Sequence, residues 1–110
     1  MIYTILYYSV AVQDAIVSLP DTLAARYVVL TRCMLVFGPN LGEPHTKAFG
    51  GGLFELRLKG ADGIARVFFC TQVGQRIVML HCFVKKSTQT PLRERRLAEA
   101  RMQEIRDANP

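Results

Sequence analysis

The chain has 110 residues, half of them hydrophobic, and carries 14 lysines and arginines against 9 aspartates and glutamates, a net charge of +5. That length builds one compact domain, residues 1–110, and not two, while the apolar content excludes an intrinsically disordered chain. The positive balance attracts polyanions, so nucleic acid or an acidic protein is the partner class that charge alone suggests.

Ile2 to Tyr8 is rich in β-branched and aromatic residues and is predicted as the first strand. Ser9 is placed to cap a short helix over residues 10–19, because its hydroxyl can satisfy an amide of the first turn, and Pro20 stops that helix. A longer helix follows over residues 20–37. In it Leu23, Tyr27, Leu30, Met34 and Phe37 recur at steps of four, three, four and three, which places them on one face that belongs to the core.

Residues 38–52, GPNLGEPHTKAFGGG, hold five glycines and two prolines and are predicted as a loop, with a short extended piece around Thr46 to Phe49. Three strands follow at 53–59, 64–71 and 76–84, joined by the short connections GADG and QVGQ, which favour antiparallel hairpins. The last element is a polar helix over about residues 91–107, with Thr90 as its cap, Pro91 at its first position and Glu94 near the third position of a capping box. The fold class is therefore α+β, an antiparallel sheet of about four strands with two N-terminal helices and a C-terminal helix.

Cys33, Cys70 and Cys82 lie in apolar runs without CxxC spacing, so neither a metal site nor a disulfide framework is expected, and no cofactor is implied. The first segment, MIYTILYYSVAV, has no basic leader and is too short to cross a membrane, so the expected location is the cytoplasm.

Strand alternation puts Leu53, Glu55, Arg57 and Lys59 on one face and Phe54, Leu56 and Leu58 on the other. The apolar face takes the helices, so Arg57 points to the opposite side. A cross-strand ion pair worth only about 0.2–1 kcal/mol would account for it without a function. Arg66 shares the parity of Ile64, Phe68 and Cys70, where a guanidinium needs an anion, a carbonyl or water. His81, inside VMLHCFV, is either hydrogen-bonded core or part of a site. With Lys47 before the Gly-rich turn and Lys85 and Lys86 at the end of the last strand, these cations define a candidate surface for an RNA backbone.

The stretches HTKAFGGGLFELRLKGADGIARVFFC and IVMLHCFVKKSTQTPLRERRLAEA resemble the HigB-like, phage-related branch of the RelE/ParE toxin superfamily, from Lys47 to about Arg101. The resemblance implies a RelE-like fold and a toxin of a toxin and antitoxin pair that cleaves mRNA on the ribosome without metal. It implies a cognate antitoxin as partner, of the DNA-binding helix-turn-helix type, and no membrane. Carried over by position, Arg57 and Arg66 are phosphate ligands, Lys85 and Lys86 the basic pair of the final turn, and Lys47 the lysine ahead of the Gly-rich strand. The arginines then belong to a sheet face that the helices leave uncovered for RNA. Where some relatives use a tyrosine for proton transfer this chain has Thr90, Pro91 and Leu92, which leaves His81 or Lys85 for that role, with Arg57, Arg66 and Lys86 on the phosphate. The alternative is a non-enzymatic inhibitor of gyrase like the ParE toxins, or an inactive phage-derived binding protein.

Overall fold

The computed structural model describes residues 2–86 and 91–109. The element order is β1 (Thr4–Tyr7), α1 (Val10–Val17), α2 (Asp21–Phe37), β2 (Thr46–Gly50), β3 (Leu53–Gly60), β4 (Gly63–Gln72), β5 (Arg76–Lys85) and α3 (Leu92–Ala108). These strands form one sheet in the order β1-β5-β4-β3-β2.

The expected sheet needs two corrections. It has five strands rather than four, because the extended piece after the loop pairs fully with β3. It is also mixed, since β1 lies parallel to β5, Thr4 opposite Arg76 through Tyr7 opposite Met79. Period-two alternation reports which face a residue occupies and nothing about the direction of a neighbour far along the chain.

Both faces of the sheet are covered, though unequally. On one, α1 and α2 bury Leu23, Tyr27, Leu30 and Met34 against Leu56, Leu58, Val67, Phe69 and Met79. On the other, α3 sets Ala98 and Met102 onto Leu53, Phe68, Cys70, Val78 and Leu80. Each fully buried aliphatic or aromatic side chain contributes roughly 1.5–3 kcal/mol, so the first layer supplies most of the stability and α3 is a lighter lid. The expectation of an uncovered arginine face is thus corrected: α3 occupies the half of that face where apolar residues stand, and the charged half is left over.

Local details follow the side chains. Ser9 caps α1, its Oγ accepting from the Val12 amide at 3.2 Å. Phe37 is 79% exposed and not core. Tyr3 closes that helix end instead, its amide donating to Leu35 O at 3.2 Å and its ring lying against Gly38, whose φ of 99° suits only glycine. The start of α3 also differs. Pro91 is its N-cap without a side-chain bond, and Glu94 reaches across to the sheet rather than back to its own helix. Thr90 lies outside the described residues.

The turn between β3 and β4 is tied to the start of α2. Asp62 Oδ2 accepts from the Thr22 hydroxyl at 2.7 Å and from its amide at 3.1 Å, while the Asp62 amide donates to Thr22 Oγ1 at 3.0 Å. Gly60 permits this approach, because a Cβ there would meet Thr22 Oγ1 at 2.7 Å. The side-chain hydrogen bond from Thr22, then its amide, hold the Asp62 carboxyl below its usual range. A carboxylate whose pKa is lowered by folding stabilises fully above its unfolded pKa and loses that stabilisation as pH falls through the folded value. Thr22→Val is therefore expected to lower Tm at neutral pH, with a deficit that shrinks once pH drops below about 4. A deficit of constant size down to about pH 2 would show that the carboxylate carries none of it.

Candidate functional site

The antiparallel register lays the charged residues out as rungs. Arg57 on β3 lies directly opposite Arg66 on β4, which lies opposite Phe83 on β5. One rung outward are Lys59, Ile64 and Lys85, and one rung inward are Glu55, Phe68 and His81, with Lys47 of β2 opposite Glu55. Neighbouring strands are about 4.8 Å apart, so two guanidinium groups on one rung would repel each other.

Glu55 resolves that repulsion. It is fully buried, and its Oε1 stands 3.2 Å from Arg57 Nε and 3.4 Å from Arg66 Nε. Arg57 also meets Glu43 Oε1 at 3.4 Å, with the Glu43 side chain 67% exposed. Arg66 is the more enclosed of the pair, its side chain 12% exposed. Its buried Nε makes the ion pair with Glu55 but no hydrogen bond among the described residues. Burial first, and then the charge of Arg57, draw the Arg66 guanidinium below its usual pKa, against the pull of Glu55. Arginine stays charged through such a shift, so Glu55 and the exposed Glu43 balance the two guanidiniums, and the surplus positive charge comes from Arg26 and Lys59 beside them. Glu55 is the residue that sequence reasoning missed as a site component. Its signal was present, a carboxylate at the parity of Leu53 in an apolar strand.

Above this triad opens a cleft of about 390 Å³, lined by Arg26 of α2, Pro44 and His45 of the loop before β2, Arg57 and Lys59 of β3, and Ile64 and Arg66 of β4. Among the described residues no acidic side chain lines it. Arg26 and His45 join the site through the fold alone, because nothing in their sequence surroundings points to the strands. Lys85 sits one rung from the pair, and burial, followed by the charges of Arg66 and Arg57, lowers its pKa while Glu55 opposes the change.

The other sequence-predicted residues stand apart from the cleft. Lys86 is exposed and, with Phe83, Val84, Lys85, Pro91, Arg93 and Glu94, lines a second recess of about 260 Å³. Lys85 is opposite Ile64 and Phe83 opposite Arg66, so the two recesses adjoin across β4 and β5. Lys47 lies over the Phe49 ring, 5.4 Å from its centroid, and Arg95 of α3 covers the same ring at 4.6 Å.

His81 shares the arginine face but is engaged by α3. Leu80 is an extra residue in β5, since Phe68 faces His81 while Phe69 faces Met79. Leu80 and His81 consequently both meet the α3 side, where Leu80 packs in the apolar cluster and His81 Nε2 is hydrogen-bonded to Glu94 Oε2. His81 lines a separate recess with Ala11, Val12, Ala15, Cys82 and Arg101. Burial pushes the Cys82 thiol up to about 12, so it remains protonated at neutral pH and is no nucleophile. No group of three or more His, Cys, Asp or Glu side chains able to hold a metal ion occurs among the described residues. No helix among them is long and apolar enough to cross a membrane.

A search of curated proteins returns no match to this chain. Residues 14–103, which run from the second half of α1 to most of α3 and include both arginines, Glu55 and the cleft, match the family described as phage derived protein Gp49-like (DUF891). The chain belongs to that phage-derived Gp49-like family, a toxin-like family of the RelE/HigB type.

Proposed function

We propose that this protein is the toxin of a toxin and antitoxin pair and that it cleaves mRNA on the ribosome. The observation that carries the reading is the cleft itself, in which Arg26, Arg57, Lys59 and Arg66 converge with no acidic side chain among its lining residues. A fold spends stability to hold two guanidiniums on one rung around a buried carboxylate, and a phosphodiester supplies the negative charge such a site wants. The adjoining recess with Lys85, Lys86 and Arg93 extends the cations along the sheet, and Phe83 between them offers a ring on which a base can stack.

In the reaction, the ribose 2′-oxygen attacks the adjacent phosphorus and forms the new O–P bond. The bond to the 5′-oxygen breaks, leaving a 2′,3′-cyclic phosphate and a free 5′-hydroxyl. Negative charge grows on the non-bridging oxygens as the phosphorus becomes five-coordinate. Fixed cations aimed at that charge lower the barrier more than they tighten ground-state binding. Arg57 and Arg66 fill this role, with Lys85 and Lys86 holding the flanking backbone.

Induction of the chain followed by primer extension on translated messages tests the reading. New 5′ ends within coding regions are expected, and their absence, together with loss of gyrase supercoiling, would replace the nuclease by a gyrase inhibitor. A toxin of this kind requires restraint, so a small antitoxin of the helix-turn-helix type is the proposed partner. Val28, Val29, Val36 and Phe37 are exposed along α2 and supply apolar surface for it. Co-expression of the neighbouring small gene should restore growth.

A further inference from the structure

We propose that His45 is the proton acceptor of the cleft, taking the proton from the attacking 2′-hydroxyl. The inference rests on the RNA-cleaving reading and adds the group that the arginines cannot supply, since guanidiniums stay protonated throughout the working range.

The assignment follows from placement and then from exclusion. His45 lines the same cleft as Arg57 and Arg66. Its backbone is fixed on both sides, the amide donating to Gly42 O at 3.0 Å and the carbonyl accepting from the Arg57 amide at 2.8 Å. The imidazole is thereby registered to the strand that carries the first arginine. Behind it the loop is braced by Thr46, whose Oγ1 accepts from the Gly42 amide at 2.8 Å and donates to Asn40 Oδ1 at 2.9 Å. A proton acceptor needs such positioning before its basicity matters.

The alternatives are placed elsewhere, and Lys85 lines the adjoining recess rather than this cleft. His81 is hydrogen-bonded to Glu94 and faces a different recess. Glu55 is buried beneath the cleft and shared by two guanidiniums, and Glu43 is paired to Arg57. None of the tyrosines lines the cleft. Among the cleft's described lining residues, His45 is the one imidazole, a side chain able to accept and release a proton, and the rest are cations or apolar groups.

The charged groups around it are Arg26 from α2, Arg57 and Lys59 from β3, Arg66 from β4, Glu43 from its own loop and Glu55 below. In the step, the 2′-hydroxyl proton passes to the neutral imidazole as the oxygen bonds to phosphorus. The departing 5′-oxygen takes a proton from solvent, and the imidazolium returns its own to water afterwards.

The test uses the full chain and an mRNA on programmed ribosomes. H45Q is expected to slow cleavage by about 10²–10⁴-fold, the range of a positioned general base. Its circular dichroism and Tm should match wild type, because the hydrogen bonds that fix residue 45 to Gly42 and Arg57 are made by its backbone. The wild-type rate should rise with pH along an acid limb, and H45Q should lose that limb. A message with a 5′-sulfur leaving group, which departs without a proton, should leave the H45Q defect in place. Rescue by that substrate would make His45 the acid and overturn the assignment. So would a flat wild-type profile, a reading that needs no variant to fold, or a folded H45Q that cuts normally. Wild-type failure to cleave at all would sink the nuclease reading and His45 with it, whereas an unaffected H45Q beside an active wild type sinks only His45.

Discussion

Arg66→Ala is expected to lower mRNA cleavage by about 10²–10³-fold, the loss seen when one donor is removed from a preorganised anion site. The substitution also touches stability, since Glu55 is fully buried and would lose its contact with Arg66. A partly stranded buried acceptor costs about 1–3 kcal/mol, so the urea midpoint should fall while the cooperative transition persists. Arg66→Lys should restore most of the stability and little of the rate, because an ammonium neutralises Glu55 but offers no planar fork to two phosphate oxygens. Cleavage rates and urea melts on the same preparations separate the two effects. Full toxicity of folded Arg66→Ala would move the scissile phosphate to Lys85 and Lys86.

The largest effect on stability is expected at Glu55. Replacing it by alanine leaves two guanidiniums on one rung with no shared anion, and removal of a partner from a buried ion pair costs about 3–5 kcal/mol. For a domain of this size that is a large part of the total. Glu43→Ala is the matched control. Its carboxylate pairs with Arg57 at similar distance but is two-thirds exposed, where ion pairs contribute about 0–1 kcal/mol. Equal urea midpoints for the two variants would show that the triad is solvated in practice and that Glu55 does not organise the arginines. Addition of inorganic phosphate should partly offset the loss in Glu55→Ala by filling the cleft with charge.

Much of this architecture could be read before any coordinates. The stripe of Leu23, Tyr27, Leu30 and Met34 announces a helix face because burial imposes a 3.6-residue period, and all four are buried. The alternation through Leu53 to Lys59 likewise separates Phe54, Leu56 and Leu58 from the charged face. What escaped depends on distance along the chain. The partner of β1 is β5, and no local pattern encodes a parallel neighbour so remote. Arg26 and His45 enter the cleft from a helix and a loop, where a lone cation or imidazole is ordinarily just solvated. Glu55 was visible, but its role required knowing that Arg57 and Arg66 share a rung.

The extra residue at Leu80 also bears on how this protein can change. Up to Met79, odd-numbered residues of β5 point into the α1 and α2 core, and beyond it Cys82 does so while Phe83 joins the α3 side. The strand is two half-strands spliced out of phase, an apolar half that builds the interior and a half that presents Phe83 and Lys85 next to the arginines. Substitutions within either half are therefore separate experiments for evolution, each free to vary while the other is kept. A one-codon deletion of Leu80 would remove the bulge and leave both halves on their present faces, whereas a deletion at Phe83, inside the second half, would send Lys85 toward the interior and Val84 toward the cations.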